Sequence, residues 1–266
     1  MNATPVPMAD GTTMSLPMTS SQSWRALFTG RYDAEIIRML ADFVRPGSLV
    51  VDIGASVGLY TVPLAAAARR AGATVLAVEP MPRNTAFVQA NVARNGLDSV
   101  VDVRCCALGA RSGALEMHSE GGGVGNAAAT AGVDAAEMGR HDRAGSQSHV
   151  ETVPMLRLDD VLEGIARRVS LVKVDVEGFE FEVLAGAEAM VERDRPVLYT
   201  EMNPDWLASR GVPAGALDDW LRRHAYRAQE VATEHCDRWS DRRRIVLRDI
   251  DGDGDRRGGD LLLTPT

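Results

Sequence analysis

The chain has little cysteine, no long apolar run and no basic excess, and each shortage removes a class of protein. Its three cysteines are Cys105, Cys106 and Cys236. The first two are adjacent and cannot easily bridge to each other, so no disulfide framework is expected, which suits a reducing, cytoplasmic setting. Five histidines, at 118, 141, 149, 224 and 235, show no paired ligand spacing, so a Cys/His zinc site is not expected; clustered acids could hold magnesium, but no spacing demands a metal. No segment reaches the roughly 18 apolar residues needed to cross a bilayer. The start of the chain lacks a basic stretch followed by an apolar core, so neither a membrane partner nor a secretory signal is expected. Lys and Arg number 29 against 37 Asp and Glu, a net charge of −8. That balance provides no basic field to displace counterions from a nucleic acid. The short basic runs Arg222-Arg223 and Arg242-Arg243-Arg244 read as solvated faces.

What is present is a strand, a glycine turn and a helix in register. At 266 residues and 45% hydrophobic content the chain suits one α/β domain with decorations. Leu49 to Val51 predict a buried strand with Asp52 at its carboxyl end. Gly54 and Gly58 then let the backbone turn closely around a ligand before Leu59, Tyr60 and an alanine-rich helix. The spacing Gly-x-x-x-Gly is neither the dinucleotide fingerprint nor the phosphate loop of nucleotide-hydrolysing enzymes. An acid before the turn repels a pyrophosphate and attracts an ammonium. That chemistry points to S-adenosylmethionine. A second strand, Thr74 to Val78, ends in Glu79-Pro80, about 20 positions beyond Gly58, where an acid in nucleoside-binding α/β folds accepts hydrogen bonds from ribose hydroxyls.

Along the chain, residues 1–23 are rich in Met, Ser, Thr and Pro and read as a flexible leader before one domain over 24–266. Ile36, Ile37, Leu40, Phe43 and Val44 predict a helix over about 31–45, ended by Pro46-Gly47. Helices are expected over Pro82 to Arg94, Leu158 to Leu162, Glu182 to Val191 and Ala216 to His224. Strands are expected near 100–104, 115–118, 150–155, 169–178, 196–201 and 261–263. Residues 119–149 hold almost no large apolar side chain and read either as a mobile flap at a substrate entrance or as plain disorder.

The segments Val51-Asp52-Ile53-Gly54-Ala55-Ser56-Val57-Gly58-Leu59-Tyr60-Thr61, Glu79-Pro80 with Asn91 and Asn95, Ala107-Leu108-Gly109 and Leu158-Asp159-Asp160 go together with two more. These are Lys173-Val174-Asp175-Val176-Glu177-Gly178-Phe179-Glu180 with Leu184 and Gly186, and Glu201. On these residues the chain resembles the FkbM family of S-adenosylmethionine-dependent methyltransferases over roughly residues 25–266. Ser56 and Phe179 depart from the family's usual residues, which bears on a cofactor hydrogen bond and on the substrate side. The resemblance implies a class I, Rossmann-like α/β fold: a seven-stranded, mostly parallel sheet with one antiparallel strand and helices on both faces. It also implies O-methylation of a sugar- or polyketide-type metabolite, with N-methylation of a peptide or amine as the alternative.

Candidate cofactor residues are Asp52, Gly54, Ala55, Ser56, Gly58, Tyr60, Glu79, Pro80, Cys106, Ala107 and Asp175. Four acids, Asp52, Glu79, Asp175 and Glu201, each end a predicted strand and are expected to border one crevice. Methyl transfer to a hydroxyl needs a group to take its proton, and Asp175, Glu177 and Glu201 are the candidates. Glu177 equally suits a cap on the next helix, and Lys173 suits an ion-pair partner. The acceptor is expected to be a small molecule, the oligomeric state is not readable, and Gly-x-x-x-Gly disfavours a nicotinamide-dependent oxidoreductase. A cofactor-binding protein without turnover is the third class, disfavoured by the intact carboxylates. Asp249-x-Asp251-x-Asp253-Gly254 with Asp260 mimics an EF-hand loop, but strands flank it and the last position lacks a bidentate Glu, so a polar hairpin is expected instead.

Overall fold

The computed structural model describes residues 4–17, 21–120, 127–129, 148–236, 243–250 and 259–266. Strands β1 (Thr4–Pro7) and β2 (Thr13–Leu16) open the chain, followed by helices α1 (Ser21–Thr29) and α2 (Ala34–Ala41). Next come β3 (Leu49–Ile53), α3 (Thr61–Arg70), β4 (Thr74–Val78), α4 (Pro82–Arg94) and β5 (Val101–Arg104). A smaller group holds β6 (Ala107–Leu108), β7 (Gly113–Glu120), β8 (Ala127–Ala129) and β9 (Ser148–Leu156). Then follow α5 (Leu158–Val161), β10 (Val169–Val174), α6 (Glu180–Ala185), α7 (Glu188–Asp194) and β11 (Val197–Met202). The chain continues through α8 (Pro204–Ser209), α9 (Ala216–His224), β12 (Tyr226–His235), β13 (Arg243–Asp249) and β14 (Gly259–Pro265).

The central sheet runs in the order β13-β12-β14-β11-β10-β3-β4-β5. Strands β11, β10, β3, β4 and β5 are mutually parallel, whereas β14, β12 and β13 are each antiparallel to their neighbours. The mostly parallel α/β class expected from the sequence is therefore present. Its count of seven strands with one antiparallel is corrected to eight with two: β12, antiparallel to β14, points the same way as β11, so only β14 and the added edge strand β13 run against the rest. The β12-β13 hairpin adds Ile245 against the apolar cluster on one side of the sheet. Buried on both faces, β3 and β10 are mostly apolar, as parallel strands covered by helices are, with Asp52, Ser170 and Lys173 the polar exceptions. Alternate residues serve opposite layers: Val50 and Leu171 pack on one side, Val51 and Val172 on the other. Because β3 leads to β4 on one side and has β10 on the other, the strand order reverses at β3, and the crevice opens at the strands' carboxyl ends there.

Three expectations need correction. Residues 4–16 are not a flexible leader. They form an antiparallel hairpin whose Val6, Met14 and Leu16 are buried. Asn91, fully buried on α4, accepts from the Ser15 amide at 2.6 Å and donates to the Ser15 and Val57 carbonyls at 3.1 and 2.9 Å. Asn95 accepts from the Thr13 amide at 2.9 Å and donates to its carbonyl at 2.8 Å, so α4 holds β2 by its backbone. The helix expected over 31–45 begins only at Ala34. Gly30 and Asp33 adopt positive φ angles of 62° and 41° and break the path between α1 and α2. The helix expected over Glu182 to Val191 is divided at Gly186, where a Cβ would lie 2.1 Å from the Gly109 carbonyl oxygen. Backbone packs on backbone at that point, and only glycine permits it. The flap expected over 119–149 and the loop at 251–258 fall largely outside the described residues.

Candidate active site

The turn after β3 is built around glycine for a steric reason. Gly54 has φ 75°, and a Cβ there would sit 1.9 Å from the Asp175 carbonyl oxygen. The amides of Gly54 and Ala55 both donate to the Val78 carbonyl, at 3.0 and 3.1 Å, and the Asp175 amide donates to the Ile53 carbonyl at 3.1 Å. These bonds tie the ends of β3, β4 and β10 into one floor. Ser56 follows with a left-handed φ of 50°, and its amide donates to Glu79 at 2.9 Å.

Glu79 is 4% exposed. Besides Ser56, its carboxylate accepts from the Met81 amide at 3.0 Å and the Asn84 side chain at 3.1 Å. Burial pushes its pKa up to about 7, opposed by these hydrogen bonds and by the more distant Lys173. Two oxygens with four lone-pair directions and three donors leave an acceptor site facing the cleft.

Asp52 behaves differently from the expectation. It is fully buried beneath the floor, where Thr61 Oγ1 donates to it at 2.6 Å and Lys173 Nζ lies 3.4 Å away. The parallel register of β3 and β10 sets Asp52 beside Lys173. Lys173 is itself 3% exposed; it donates to the Gly54 carbonyl at 3.1 Å, pairs with Asp175 at 3.3 Å and lies 5.2 Å from the Tyr60 ring centre. Burial alone lowers its pKa, but the charges of Asp175 and Asp52 outweigh it and hold the ammonium on. Asp52 thus fixes a lysine rather than a ligand, and of the four acids only Glu79, Asp175 and Glu201 border the crevice.

The crevice is a cleft of about 310 Å³. Along its walls lie Gly54, Ala55, Ser56, Tyr60, Glu79, Pro80, Cys106, Ala107, Asp175, Glu177 and Glu201, all named from sequence. Gly58 stays behind the surface, where its φ of 91° completes the turn. One end is an apolar slot in which Ala107, Leu115, Met117 and Phe179 pack together, so the sheet of β6, β9, β7 and β8 supplies part of the wall. Sequence reasoning missed Leu115 and Met117, whose alternation marks a strand but not its neighbour, and Asn84, which sits in the first turn of α4.

The other end is acidic. Glu201 ends β11 opposite Asp260 on β14, and the two share a side pocket of about 140 Å³ with Tyr32, Asp33, Tyr60 and Tyr199. Burial, then the charges of Asp175, Asp260 and Glu177, push Glu201 up to about 7. Asp260 rises to about 6, through burial first and against a hydrogen bond from Tyr199. Glu177 occupies a left-handed turn at φ 53° and does not take the capping role considered for it. The N-cap of α6 is Phe179, and the Gly178 amide donates to Glu180 at 3.0 Å instead. Burial and the Asp175 charge raise the Glu177 carboxyl as well.

A buried acid at the second strand, a close-approach glycine turn at the first and an apolar slot beside the third define a nucleoside-binding site on a doubly wound sheet. Residues 52–228 match the family model described as the methyltransferase FkbM domain, and the chain belongs to that family. Among curated proteins it is 30% identical over 149 residues to Methyltransferase 1 of Beauveria bassiana, covering 53% of this chain and 59% of that protein. It is 31% identical over 165 residues to the 31-O-demethyl-FK506 methyltransferase FkbM of Streptomyces tacrolimicus, covering 54% of this chain and 61% of that one. The chain thus matches about three-fifths of the length of these relatives. Among solved structures, a methyltransferase FkbM from Methylobacillus flagellatus aligns at 17% identity and TM-score 0.47, over 82% of this chain and 43% of that chain. A SAM-dependent O-methyltransferase from Thermotoga maritima aligns at 14% identity and TM-score 0.41, over 87% and 63% of the two chains.

The residues present fit S-adenosylmethionine. The Gly54 turn lets the backbones of β3 and β10 close into a floor without a Cβ between them, Glu79 offers a carboxylate suited to ribose hydroxyls, and the slot at Ala107 and Phe179 suits an apolar-faced base. Three carboxylates, Asp175, Glu177 and Glu201, line the cleft, and their charge complements a sulfonium and an ammonium. Among the described residues, no helix is long and apolar enough to cross a membrane and no group of His, Cys, Asp and Glu is arranged to hold a metal ion.

Proposed function

We propose that the protein methylates a hydroxyl of a small sugar- or polyketide-type molecule, with S-adenosylmethionine as donor and Glu201 receiving the hydroxyl proton. The donor supplies a methyl group on a positively charged sulfur, open to in-line attack. Glu201 stands at the lip joining the cleft to the side pocket, and a carboxyl held at about 7 is half-ionised near neutral pH, where a general base works best. Its place on the walls of both cavities, opposite Asp260, carries the assignment. Asp175 lies 3.3 Å from Lys173, an ion pair that suits it to orient the acceptor and balance the sulfonium. Glu177, at the mouth, adds negative potential to the same end.

The relative from Streptomyces tacrolimicus is named for a 31-O-demethyl compound, which favours an oxygen acceptor over an amine. The test is methyl release from labelled S-adenosylmethionine over a panel of hydroxyl and amine acceptors, followed by Glu201→Gln on the best one. A fall of about 10²–10⁴ in turnover with S-adenosylhomocysteine affinity kept is expected. Unchanged turnover in E201Q removes Glu201 from the reaction, and methylation confined to amines removes the hydroxyl assignment.

A further inference from the structure

We propose that Arg210 is a positioning residue for the cofactor cleft, acting through Phe179 and Glu177 to hold the turn that carries both into its wall. Glu177 and Gly178 take consecutive left-handed angles, φ 53° and 91°, a path that disfavours any residue with a Cβ. Within the turn the Gly178 amide donates to the Glu180 carboxylate at 3.0 Å, and the Phe179 amide to the Val176 carbonyl at 3.3 Å.

Arg210 braces the turn from outside. Its guanidinium carbon lies 5.3 Å from the centre of the Phe179 ring, and Nη2 donates to the Glu177 carbonyl at 3.4 Å. A Cβ on Gly178 would stand 2.9 Å from Arg210 Nε and 2.9 Å from Trp206 Cβ, so the arginine lies flat against the turn. Burial lowers the pKa of the guanidinium, with Glu180 and Glu182 opposing; desolvation of this kind strengthens the attraction of a cation to a ring face. Phe179, 8% exposed, in turn closes the apolar slot against Ala107 and Met117. Arg210 is the C-cap of α8, whose N-cap Asn203 follows Glu201 by two positions, so one short helix links the acidic lip to the opposite wall.

The proposal rests on the cofactor occupying this cleft and not on the nature of the acceptor. It is tested with Arg210→Ala and Arg210→Gln by calorimetric titration of S-adenosylhomocysteine, and by amide hydrogen exchange of the unliganded proteins. An affinity loss of about ten-fold is expected in both. Exchange should quicken at residues 178–180 while the hairpin at 4–16 keeps its protection. In a double-mutant cycle with Phe179→Leu, the second substitution should weaken binding little once the first is present. Unchanged affinity in a folded variant overturns the proposal, as does lost protection spread evenly through turn and hairpin, or fully additive effects in the cycle. If R210A does not fold, R210Q decides by the same readouts, and the wild-type affinity separates this question from cofactor binding itself.

Discussion

Replacing Glu79 with glutamine should change how stability depends on pH, and the structure gives the size of the change. A carboxyl of ordinary pKa 4.5 in the unfolded chain rises to about 7 on folding because it is desolvated. Below pH 4.5 it is neutral in both states and costs nothing. Between 4.5 and 7 the unfolded chain ionises first and holds fewer protons, so stability falls as pH rises, and above 7 the loss is constant. The shift corresponds to about 3 kcal/mol.

The amide introduced by E79Q cannot ionise, but its NH₂ would face either the Ser56 amide or the donors at Met81 and Asn84, all within 3.1 Å of the present carboxylate. Opposed donors cost about 1–3 kcal/mol. E79Q should therefore be the less stable protein at pH 4.5, and the gap should close or reverse by pH 8, a swing of about 3 kcal/mol. Glu180 and Glu201, both raised to about 7, and Asp260, raised to about 6, drift alike in both proteins and cancel in the difference. Urea unfolding of unliganded wild type and E79Q at half-unit steps of pH measures it. A gap that stays constant across the range refutes the reasoning. Ribose hydroxyls favour the ionised carboxylate, so wild-type affinity for S-adenosylhomocysteine should rise from pH 6 to 8, and E79Q should show no such rise.

Two more outcomes follow from geometry. Gly54→Ala places a methyl 1.9 Å from the Asp175 carbonyl at a φ of 75°; a stability loss of roughly 2–5 kcal/mol is expected by denaturant titration, with cofactor binding abolished. Normal binding in G54A would mean the floor is softer than described. Asn91→Ala removes three buried hydrogen bonds between α4, the hairpin and the glycine turn, at about 2–4 kcal/mol. Hydrogen exchange should show β1 and β2 opening first, and slow exchange there in N91A would contradict the anchoring role.

The glycine turn, Glu79 and the cleft walls were legible because each rests on local spacing: a strand fixes where its last residue lies, and Gly54 announces a close approach. Asp52 shares that spacing, but its partner Lys173 comes from a strand 121 positions away in sequence, and only the register of β3 with β10 sets the two side by side. The hairpin at 4–16 was hidden for the same reason. Its Met, Ser, Thr and Pro content is that of an unstructured segment, and what orders it is a pair of asparagines on α4. Those asparagines, four apart at the end of the helix and its C-cap, were the signal available. Asp33 and Asp260 gave none, since their relation to Glu201 depends on the path from α1 to α2 and on the placement of β14.

That placement has a consequence for how the molecule is assembled. Strand β14 lies between β11 and β12, paired to Leu198–Met202 on one flank and Tyr226–Glu230 on the other. Until residues 259–265 are synthesised and inserted, the two halves of the sheet have no common neighbour, so the nascent chain must wait with both edges open. Removing β14 would unzip the middle of the sheet, not fray its border.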